Sequence, residues 1–271
     1  MDLYSNFKVQ DGIFAAVECA DWPDFKASSS QILKTAAGLG PVFERFLFRG
    51  QSCSSWPLMS SFDRKHADLP FRSMDDKYRR VLESFTKAYE IYGDMDGRPI
   101  DTLFRRDKDR SQAEYEAIAQ HFGMPTRLLD WTSSLYVAAF FAFSKVEECS
   151  SGLVSIWALN RERASNVFSE RHVEFLDDIY KENRRQLWQM GVFIVNHTDR
   201  RDLADIFRAS SDYYDKALKG RAPLLIRFDL PKEAVSDALD DLNMMRINSI
   251  TLFPGIEGVV RWIDRGGYAI D

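Results

Sequence analysis

The sequence predicts an α+β protein, in which several helices pack on a small mixed or antiparallel sheet. Some segments repeat apolar residues at spacings of three and four, which is typical of helices with one buried face. Other segments are short aliphatic and aromatic runs bounded by glycine or proline, as strands are. The two kinds of segment follow each other without the regular rhythm of strand–helix–strand units, so the α+β class is favoured.

The predicted elements begin with a strand and a helix. Val42–Phe48 is rich in phenylalanine and ends just before Gly50, which favours a strand. Lys77–Tyr92 repeats apolar residues at helical spacing and predicts a helix. Residues 93–110 contain glycines, a proline and a mixed-charge run, so we predict a long loop there.

The next predicted helix has clear signals at both ends. Ser111 and Glu114 form the S-x-x-E pattern of a capping box at its start. Gly123 suits the position that follows a helix, and Pro125 prevents the helix from continuing. His121 is therefore expected in the last turn.

A cluster of short polar side chains follows, before a strongly apolar segment. Residues 130–134 supply aspartate, threonine and serine, which are favoured helix caps. Leu135–Phe143 is apolar on nearly all sides, so we predict that it forms a buried helix.

The second half of the chain repeats both patterns. Aliphatic runs predict strands at Leu153–Leu159, Val192–Asn196 and Leu224–Leu230. Helical spacing predicts helices at Val173–Tyr180, Leu203–Phe207 and Lys232–Leu242, the last with Pro231 in its first position. A final helix is expected after Gly255, with an apolar face formed by Ile256, Val259, Val260 and Ile263.

Composition predicts a folded protein without a disulfide framework, a metal site or a membrane span. The 271 residues are 45% hydrophobic, which suits one large domain or two small ones. The net charge of −5 gives no global basic field for nucleic acid, and it leaves a local basic patch open. The three cysteines and the histidines lack disulfide or metal-ligand spacing. Residues 1–7 lack a signal-peptide core and the longest apolar run is too short for a bilayer, so we expect a cytoplasmic protein.

An arginine at the end of an apolar strand marks the first candidate site. In Phe48-Arg49-Gly50-Gln51, we expect Arg49 to present its planar guanidinium at a sheet edge, where Gly50 lets the backbone approach a ligand. A phosphate or a carboxylate is the natural partner of this group. The alternative is a structural Arg49 that pairs with a carboxylate in the core.

The second candidate site is Gln120–Thr132, which concentrates polar and charged residues between two predicted helices. His121 has two interpretations: a general acid or base, or a side chain that satisfies carbonyls at its helix end. Arg127 and Asp130 either contact a ligand or form an ion pair across the turn. Asp130 or Thr132 is alternatively the cap of the following helix.

Together these segments resemble the FRG domain family, which is named for its Phe/Tyr-Arg-Gly signature. The signature is present as Phe48–Gln51, Trp56–Arg64 is similar to a Pro-Leu-x-Pro-Ser-x-x-Arg stretch of the family, and His121–Thr132 resembles its most specific motif. Weaker similarity follows at Gln189–Phe193 and Leu252–Gly258. The resemblance is strong over residues 21–159 and implies one domain over residues 1–271, with residues 160–271 packed onto this core. It also implies a role in bacterial or phage conflict systems.

The order of the motifs is similar, more remotely, to that of mono-ADP-ribosyltransferases of the Arg-Ser-Glu class. Arg49 corresponds to the arginine of their first strand, Trp131–Ser134 to their Ser-Thr-Ser segment, and Glu257 to their C-terminal glutamate. This resemblance implies an ADP-ribosyltransferase-like fold and NAD as the substrate. The chain departs from the class in two places: residues 133–134 are predicted to open a helix, and Gly255 replaces the first acid of a Glu-x-Glu pair.

The resemblance also implies roles for the candidate residues. Arg49 would bind the pyrophosphate of NAD, and Glu257, with His121, would complete the catalytic set. Thr132 and Ser133 would shape the pocket for the ribose and nicotinamide, and His121, Arg127 and Asp130 would form its second wall. Gly50 and Gln51 would complete the set that binds NAD. Glu257 has an alternative interpretation, because the helix macrodipole alone favours an acid in a first turn.

Two main hypotheses about function follow. The first is an NAD-using ADP-ribosyltransferase or NAD glycohydrolase, an effector of a toxin or defence system whose acceptor is protein, nucleic acid or water. The second is a non-enzymatic module that binds a nucleotide or a partner protein, such as an antitoxin or another defence protein. A third hypothesis, nucleic-acid binding through the mixed-charge run Arg105–Arg110, is disfavoured by the pI of about 5.5.

Overall fold

A computed structural model describes most of the chain, in seven segments. They are residues 8–10, 14–37, 41–92, 111–169, 172–177, 184–209 and 223–264. The loop predicted at residues 93–110 lies outside the described residues.

Within the described residues, eight strands form one mixed sheet with the order β1-β2-β8-β5-β3-β4-β7-β6. Their bounds are β1 (Lys8–Gln10), β2 (Phe14–Glu18), β3 (Phe46–Gln51), β4 (Leu128–Thr132), β5 (Leu153–Asn160), β6 (Val173–Leu176), β7 (Gly191–Asn196) and β8 (Leu225–Pro231). β2 and β8 run parallel, and the other neighbouring pairs are antiparallel. The predicted α+β class is confirmed, with more strands in the sheet than the sequence analysis assigned.

The helices of the described residues surround this sheet. They are α1 (Trp22–Ala37), α2 (Val42–Arg45), α3 (Ser61–Lys65), α4 (Phe71–Tyr92), α5 (Gln112–His121), α6 (Leu135–Phe143), α7 (Arg161–Val167), α8 (Arg184–Trp188), α9 (Leu203–Ala209), α10 (Val235–Met244), α11 (Ser249–Leu252) and α12 (Ile256–Asp264). None of the described helices is both long and apolar enough to cross a membrane.

Local capping signals placed several helices correctly. Ser111 and Glu114 form the predicted capping box at the start of α5, and Gly123 follows that helix with a φ of 86°. The predicted helix at Leu135–Phe143 is confirmed as α6, and the final helix begins after Gly255 as expected. These elements were predictable because their ends are determined by residues within one turn.

Three predicted elements are wrong over part of their length, and strand pairing explains each. The first four residues of the predicted strand Val42–Phe48 form α2, because β3 begins at Phe46, which pairs with Asn160, the last residue of β5. The first part of the predicted helix Val173–Tyr180 is β6, which pairs with β7. The predicted capping cluster at residues 130–134 belongs mostly to β4, and only Ser134 caps α6, through a bond from the Val137 N–H.

The last third of the chain departs from prediction in two smaller ways. Pro231 ends β8 instead of opening a helix, and a 3₁₀ turn at Lys232–Ala234 separates it from α10. The apolar face predicted for α12 is exposed: Ile256, Val259, Val260 and Ile263 lie at the surface of the described structure.

Both faces of the sheet are covered, and α6 packs directly on its centre. One face of β3, β5 and β8 is packed with α1, α6 and α10 in a single core. The opposite face contacts α7 and α9 in a second core. Gly50 permits the close approach of α6, because a Cβ atom at this position would lie 1.9 Å from the Ala138 carbonyl oxygen and 2.5 Å from the Ala142 nitrogen.

Gly50→Ala should therefore lower the free energy of unfolding by about 3 kcal/mol, since the methyl group meets helix backbone that cannot move aside. Gly152→Ala is the matched control. Gly152 has a φ of 77°, and a Cβ atom added there would have no atom within 4 Å, so only the backbone conformation adds a cost, of about 1 kcal/mol. Urea denaturation compares the two variants. Equal losses of stability in both would contradict the packing argument.

Candidate ligand-binding site

The sheet opens between two neighbouring strands, β3 and β4. β3 pairs with β5 along its whole length, and β4 pairs with β7 along its whole length, but β3 and β4 share only the pair Phe48–Thr132. Beyond that pair the ladder is replaced by a side chain: Nη1 of Arg49 donates a hydrogen bond of 2.6 Å to the backbone carbonyl oxygen of Asp130. The two candidate segments of the sequence therefore meet at this opening.

A cavity of about 370 Å³ lies at the opening. Helices α5, α6 and α8 contribute to its wall, together with β3, β4 and Phe253. Six of the predicted site residues line it: Arg49, Gly50, Gln51, His121, Asp130 and Thr132. Three others, Arg127, Ser133 and Glu257, do not belong to the lining.

The cavity wall is strongly cationic, although the protein has a net charge of −5. Among the described residues that line it, one carboxylate, that of Asp130, faces five basic side chains. The basic residues are Arg49, Arg64, Lys145, Arg185 and Arg261. Such a concentration of positive charge around a concave site attracts an anionic ligand.

Arg49 carries a charge that no carboxylate neutralises directly. Its guanidinium bonds to a backbone carbonyl, and it makes no ion pair within the described residues. The structural alternative predicted a carboxylate of the core as its partner, and the observed partner is a main-chain oxygen instead. Its Nε atom is buried without a hydrogen-bond partner there. Burial lowers the pKa of Arg49 to about 10, opposed by Asp130 and reinforced by Arg64, so the group stays cationic at neutral pH.

Arg64 has a similar environment. Its Nη1 donates to the carbonyl oxygen of Met59 at 2.8 Å, and within the described part of the chain it has no acidic partner within ion-pair distance. Arg49 and Arg64 are thus the two cations of the cavity that are held by backbone. A bound phosphate or carboxylate would supply the missing negative charge.

Asp130 is held in place by side chains from the same motif. Nε2 of Gln120 donates to its Oδ1 at 2.7 Å, and the Thr126 hydroxyl donates to Oε1 of the same Gln120. Asp130 faces the cavity, and its side chain is exposed to water there. Desolvation by the surrounding fold raises the pKa of its carboxyl above the ordinary value, against the opposing fields of Arg49 and Arg185.

Other lining residues use their polar groups to hold the structure. Gln51 accepts from the Trp157 indole at 2.7 Å and donates to the Pro57 carbonyl at 3.0 Å. The Thr132 hydroxyl donates to the carbonyl of Gln189 at 2.7 Å and accepts from the Ser134 N–H. These bonds fix the loops and the helix that border the cavity.

His121 lies in the last turn of α5, as predicted, and faces the cavity. Its ring packs edge-on against Phe122, with ring centroids 5.1 Å apart. The position allows contact with a ligand, and its role as acid or base stays a prediction.

Glu257 lies beside the cavity rather than in its lining. It belongs to the first turn of the last helix, α12, and forms ion pairs with Arg185 at 3.5 Å and Arg261 at 2.9 Å. The same two guanidinium groups flank the ring of Phe253, at 4.6 and 4.3 Å from its centroid. Glu257 therefore orients two cations toward the cavity, and its side chain remains 44% exposed.

Arg127 and Ser133 have structural environments. Arg127 pairs with Asp75 at 2.6 Å and approaches Asp63 at 3.7 Å, with its guanidinium 4.9 Å from the Tyr78 ring centroid. The ion pair with Asp130 considered from the sequence is thus replaced by these partners. The Ser133 N–H bonds to the Met190 carbonyl, which ties β4 to the loop before β7.

Four cations of the cavity were not predicted as site residues from the sequence: Arg64, Lys145, Arg185 and Arg261. Arg64 was available as the last residue of the similar stretch Trp56–Arg64. Arg185 belongs to the basic pair Arg184-Arg185, which by itself is equally typical of a solvated helix face. Lys145 and Arg261 carry no local signal, because only the fold brings residues so far apart in the chain to one wall.

No group of three or more His, Cys, Asp or Glu side chains is arranged to hold a metal ion in the described residues.

Replacing Arg127 with alanine should lower the free energy of unfolding by about 3 kcal/mol, because Asp63 and Asp75 then lose their buried partner. Thermal or urea denaturation measures this change. Arg79→Ala is the control, since Arg79 also pairs with Asp75 but is 64% exposed, and we expect a loss below about 1 kcal/mol. A loss in Arg127→Ala no larger than in Arg79→Ala would contradict the structural role.

Comparison with known proteins agrees with the motifs of the cavity. The family model of the FRG domain matches residues 44–150, which include Arg49, His121 and Asp130. No curated protein matches the chain, and no solved structure matches it. The chain therefore contains an FRG domain, at residues 44–150.

Proposed function

We propose that this protein binds NAD in the cavity between β3 and β4 and acts on it, as an ADP-ribosyltransferase-like effector of a bacterial or phage toxin or defence system. One observation carries the proposal: five basic side chains and a single carboxylate line the cavity, in the described part of an acidic chain. The order of the Arg49, Ser133 and Glu257 motifs supports NAD among anionic ligands, by resemblance.

The basic residues suit a pyrophosphate better than a single small anion. Arg49 and Arg64 approach from β3 and α3, whereas Arg185 and Arg261 approach from α8 and α12. One guanidinium group can bind two phosphate oxygens at once, through two charge-assisted hydrogen bonds. Several cations that different elements bring to one cavity match a ligand that carries two linked phosphates.

The remaining wall suits the ring systems of a nucleotide. Aromatic side chains line the cavity beside the cations, among them Trp56, Phe140, Phe141 and Phe253. Aromatic side chains favour stacking with planar rings, such as adenine or nicotinamide. The volume of about 370 Å³ falls within the usual range of small-molecule sites.

A second candidate function is a non-enzymatic module that binds a nucleotide, or a partner protein of such a system, and regulates another component. The environment of Glu257 favours it, because the glutamate expected to be catalytic is paired with Arg185 and Arg261 outside the cavity lining. Both functions share the same anionic ligand site. They differ in whether the bound ligand is consumed and in whether a protein or nucleic-acid acceptor is modified.

Arg49→Ala should weaken binding of NAD and of ADP-ribose by about 10- to 100-fold, because it removes a charge-assisted hydrogen bond contributing about 1.5–3 kcal/mol. Isothermal titration calorimetry measures the affinity. Arg49→Lys keeps the charge and loses the planar fork, so an intermediate affinity is expected. The matched control is Arg208→Ala, which removes an arginine from α9, on the other face of the sheet. Binding that is equally strong in all four proteins would exclude the cavity as the site.

Incubation with NAD labelled in the adenylate part separates the two candidate functions. Release of nicotinamide, or transfer of label to macromolecules in a cell lysate, would identify the enzyme. Tight binding of NAD that is recovered intact would identify the module.

A further inference from the structure

We infer that Asp130 is the catalytic carboxylate of this cavity, and that it accepts a proton from the water that cleaves the bond between nicotinamide and ribose. This inference rests on the proposed function, since it concerns what happens to bound NAD. It departs from the resemblance to the transferases, which points to Glu257 instead.

Asp130 is positioned to contact a ligand in the cavity. Within the described residues, Asp130 supplies the one carboxylate of the cavity lining, and it lies in the middle of β4 beside the opening in the sheet. Glu257 is held by two arginines and lies outside the lining. A group that removes a proton must come within hydrogen-bond reach of the reacting water, and Asp130 is the carboxylate placed to do so for a ligand in the cavity.

Asp130 has surroundings that leave its ionised carboxylate free to accept a proton. It makes no ion pair within 4 Å among the described residues, and the guanidinium of Arg49 bonds to its backbone carbonyl and not to its carboxylate. A carboxylate that water reaches and that has no direct cationic partner is free to accept a proton from a water molecule in the cavity. Arg49 and Arg185 act on it from a distance, which keeps the ionised form accessible.

The carboxylate of Asp130 is held in a fixed orientation by neighbouring side chains. The Thr126 side chain is completely buried, and its hydroxyl donates to Oε1 of Gln120, which leaves Nε2 of Gln120 to face Asp130. Thr126 is itself anchored, because its N–H bonds to the Ser61 hydroxyl and its carbonyl accepts from the Phe62 N–H. Gln120 is thus a positioning residue. It orients the carboxylate through a chain of hydrogen bonds in which the donor and acceptor of each bond are fixed.

The reaction is balanced by water alone. As the bond between C1′ of the ribose and N1 of nicotinamide breaks, its electron pair stays on the nicotinamide nitrogen and cancels the positive charge there. The water oxygen bonds to C1′, and Asp130 accepts one of its protons, which is later released to solvent. The products are nicotinamide, ADP-ribose and a proton. The negative charge of a nearby carboxylate also stabilises the oxocarbenium-like state of such a glycosidic cleavage.

Asp130→Asn tests the inference with little change of shape, because the amide oxygen still accepts from Gln120. We expect NAD hydrolysis to fall at least about 100-fold, while the Kd for NAD changes less than about threefold. The Asp76→Asn protein serves as the matched control, since Asp76 is an exposed residue of α4 outside the cavity lining. Thermal unfolding shows that each variant is folded.

The pH dependence of the rate identifies the group. The base acts only when it is ionised, so the rate should fall as pH drops through the pKa of Asp130, which lies above the ordinary aspartate value. The charged and titratable groups around it are Arg49 on β3, Arg185 on α8 and His121 on α5. The two arginines stay charged throughout this range. The fall of the rate at low pH, the acid limb of the profile, should therefore persist in His121→Gln.

Gln120→Leu separates a positioning role from a merely structural one. Loss of the hydrogen bond to the carboxylate should lower kcat about tenfold with KM nearly unchanged. It should also move the acid limb to higher pH, because that bond favours the ionised form. A simple loss of folded protein would lower the rate at every pH and leave the limb in place.

The outcomes distinguish this inference from the proposed function. Hydrolysis in Asp130→Asn within about threefold of wild type, or a larger loss in Glu257→Gln than in Asp130→Asn, would overturn the role of Asp130 and leave NAD as substrate. Wild-type protein that binds NAD and leaves it intact would overturn catalysis and leave the binding module. Wild-type protein that does not bind NAD would overturn the proposed function itself.

Discussion

The hydrogen bond from Arg49 to the carbonyl of Asp130 is the interaction on which the cavity depends. β3 is fully paired with β5, and β4 is fully paired with β7, so each strand belongs to a stable half of the sheet. The two halves are joined by one ladder pair and by this side chain. A longer ladder would close the sheet and remove the opening. A missing bond would leave a buried guanidinium and a carbonyl without partners. The arginine therefore both holds the opening together and points a cation into it.

The electrostatics of the site follow from the same arrangement. The chain as a whole is acidic, yet the wall of the cavity collects its cations from β3, α3, α6, α8 and α12 and the segments next to them. Arg185 and Arg261 share Glu257 and flank Phe253, which fixes both guanidinium groups without removing their net charge. Arg49 and Arg64 are held by backbone carbonyls. Assembling like charges is costly, and an anionic ligand would offset that cost.

Most residues of the family signature serve structure and site at once. Gly50 gives α6 its close approach to the sheet, and Gln51 and Thr132 fix the loops around the cavity. Arg127 lies outside the cavity, in an aromatic and acidic environment that joins α3 and α4 to the start of β4. Side-chain hydrogen bonds connect three residues within the motif: Gln120, Thr126 and Asp130. The density of polar residues in the motif therefore reflects a scaffold that presents only a few groups to a ligand.

The sequence by itself determined the features whose causes lie within a few residues. The capping box at Ser111, the turn at Gly123 and the apolar helix α6 depend on local backbone and burial, and all were predictable. The motifs of the FRG domain were also recognisable, and with them Arg49, His121 and Asp130 as neighbours. Tertiary structure decided the rest. β4 and β6 are strands because β7 pairs with them, and short apolar runs do not reveal their partners. Arg185 and Arg261 reach the cavity from distant parts of the chain, and Glu257 is drawn to them. Charges distant in the chain become one site only when the fold brings them together, so their number and balance could not be obtained from local pattern.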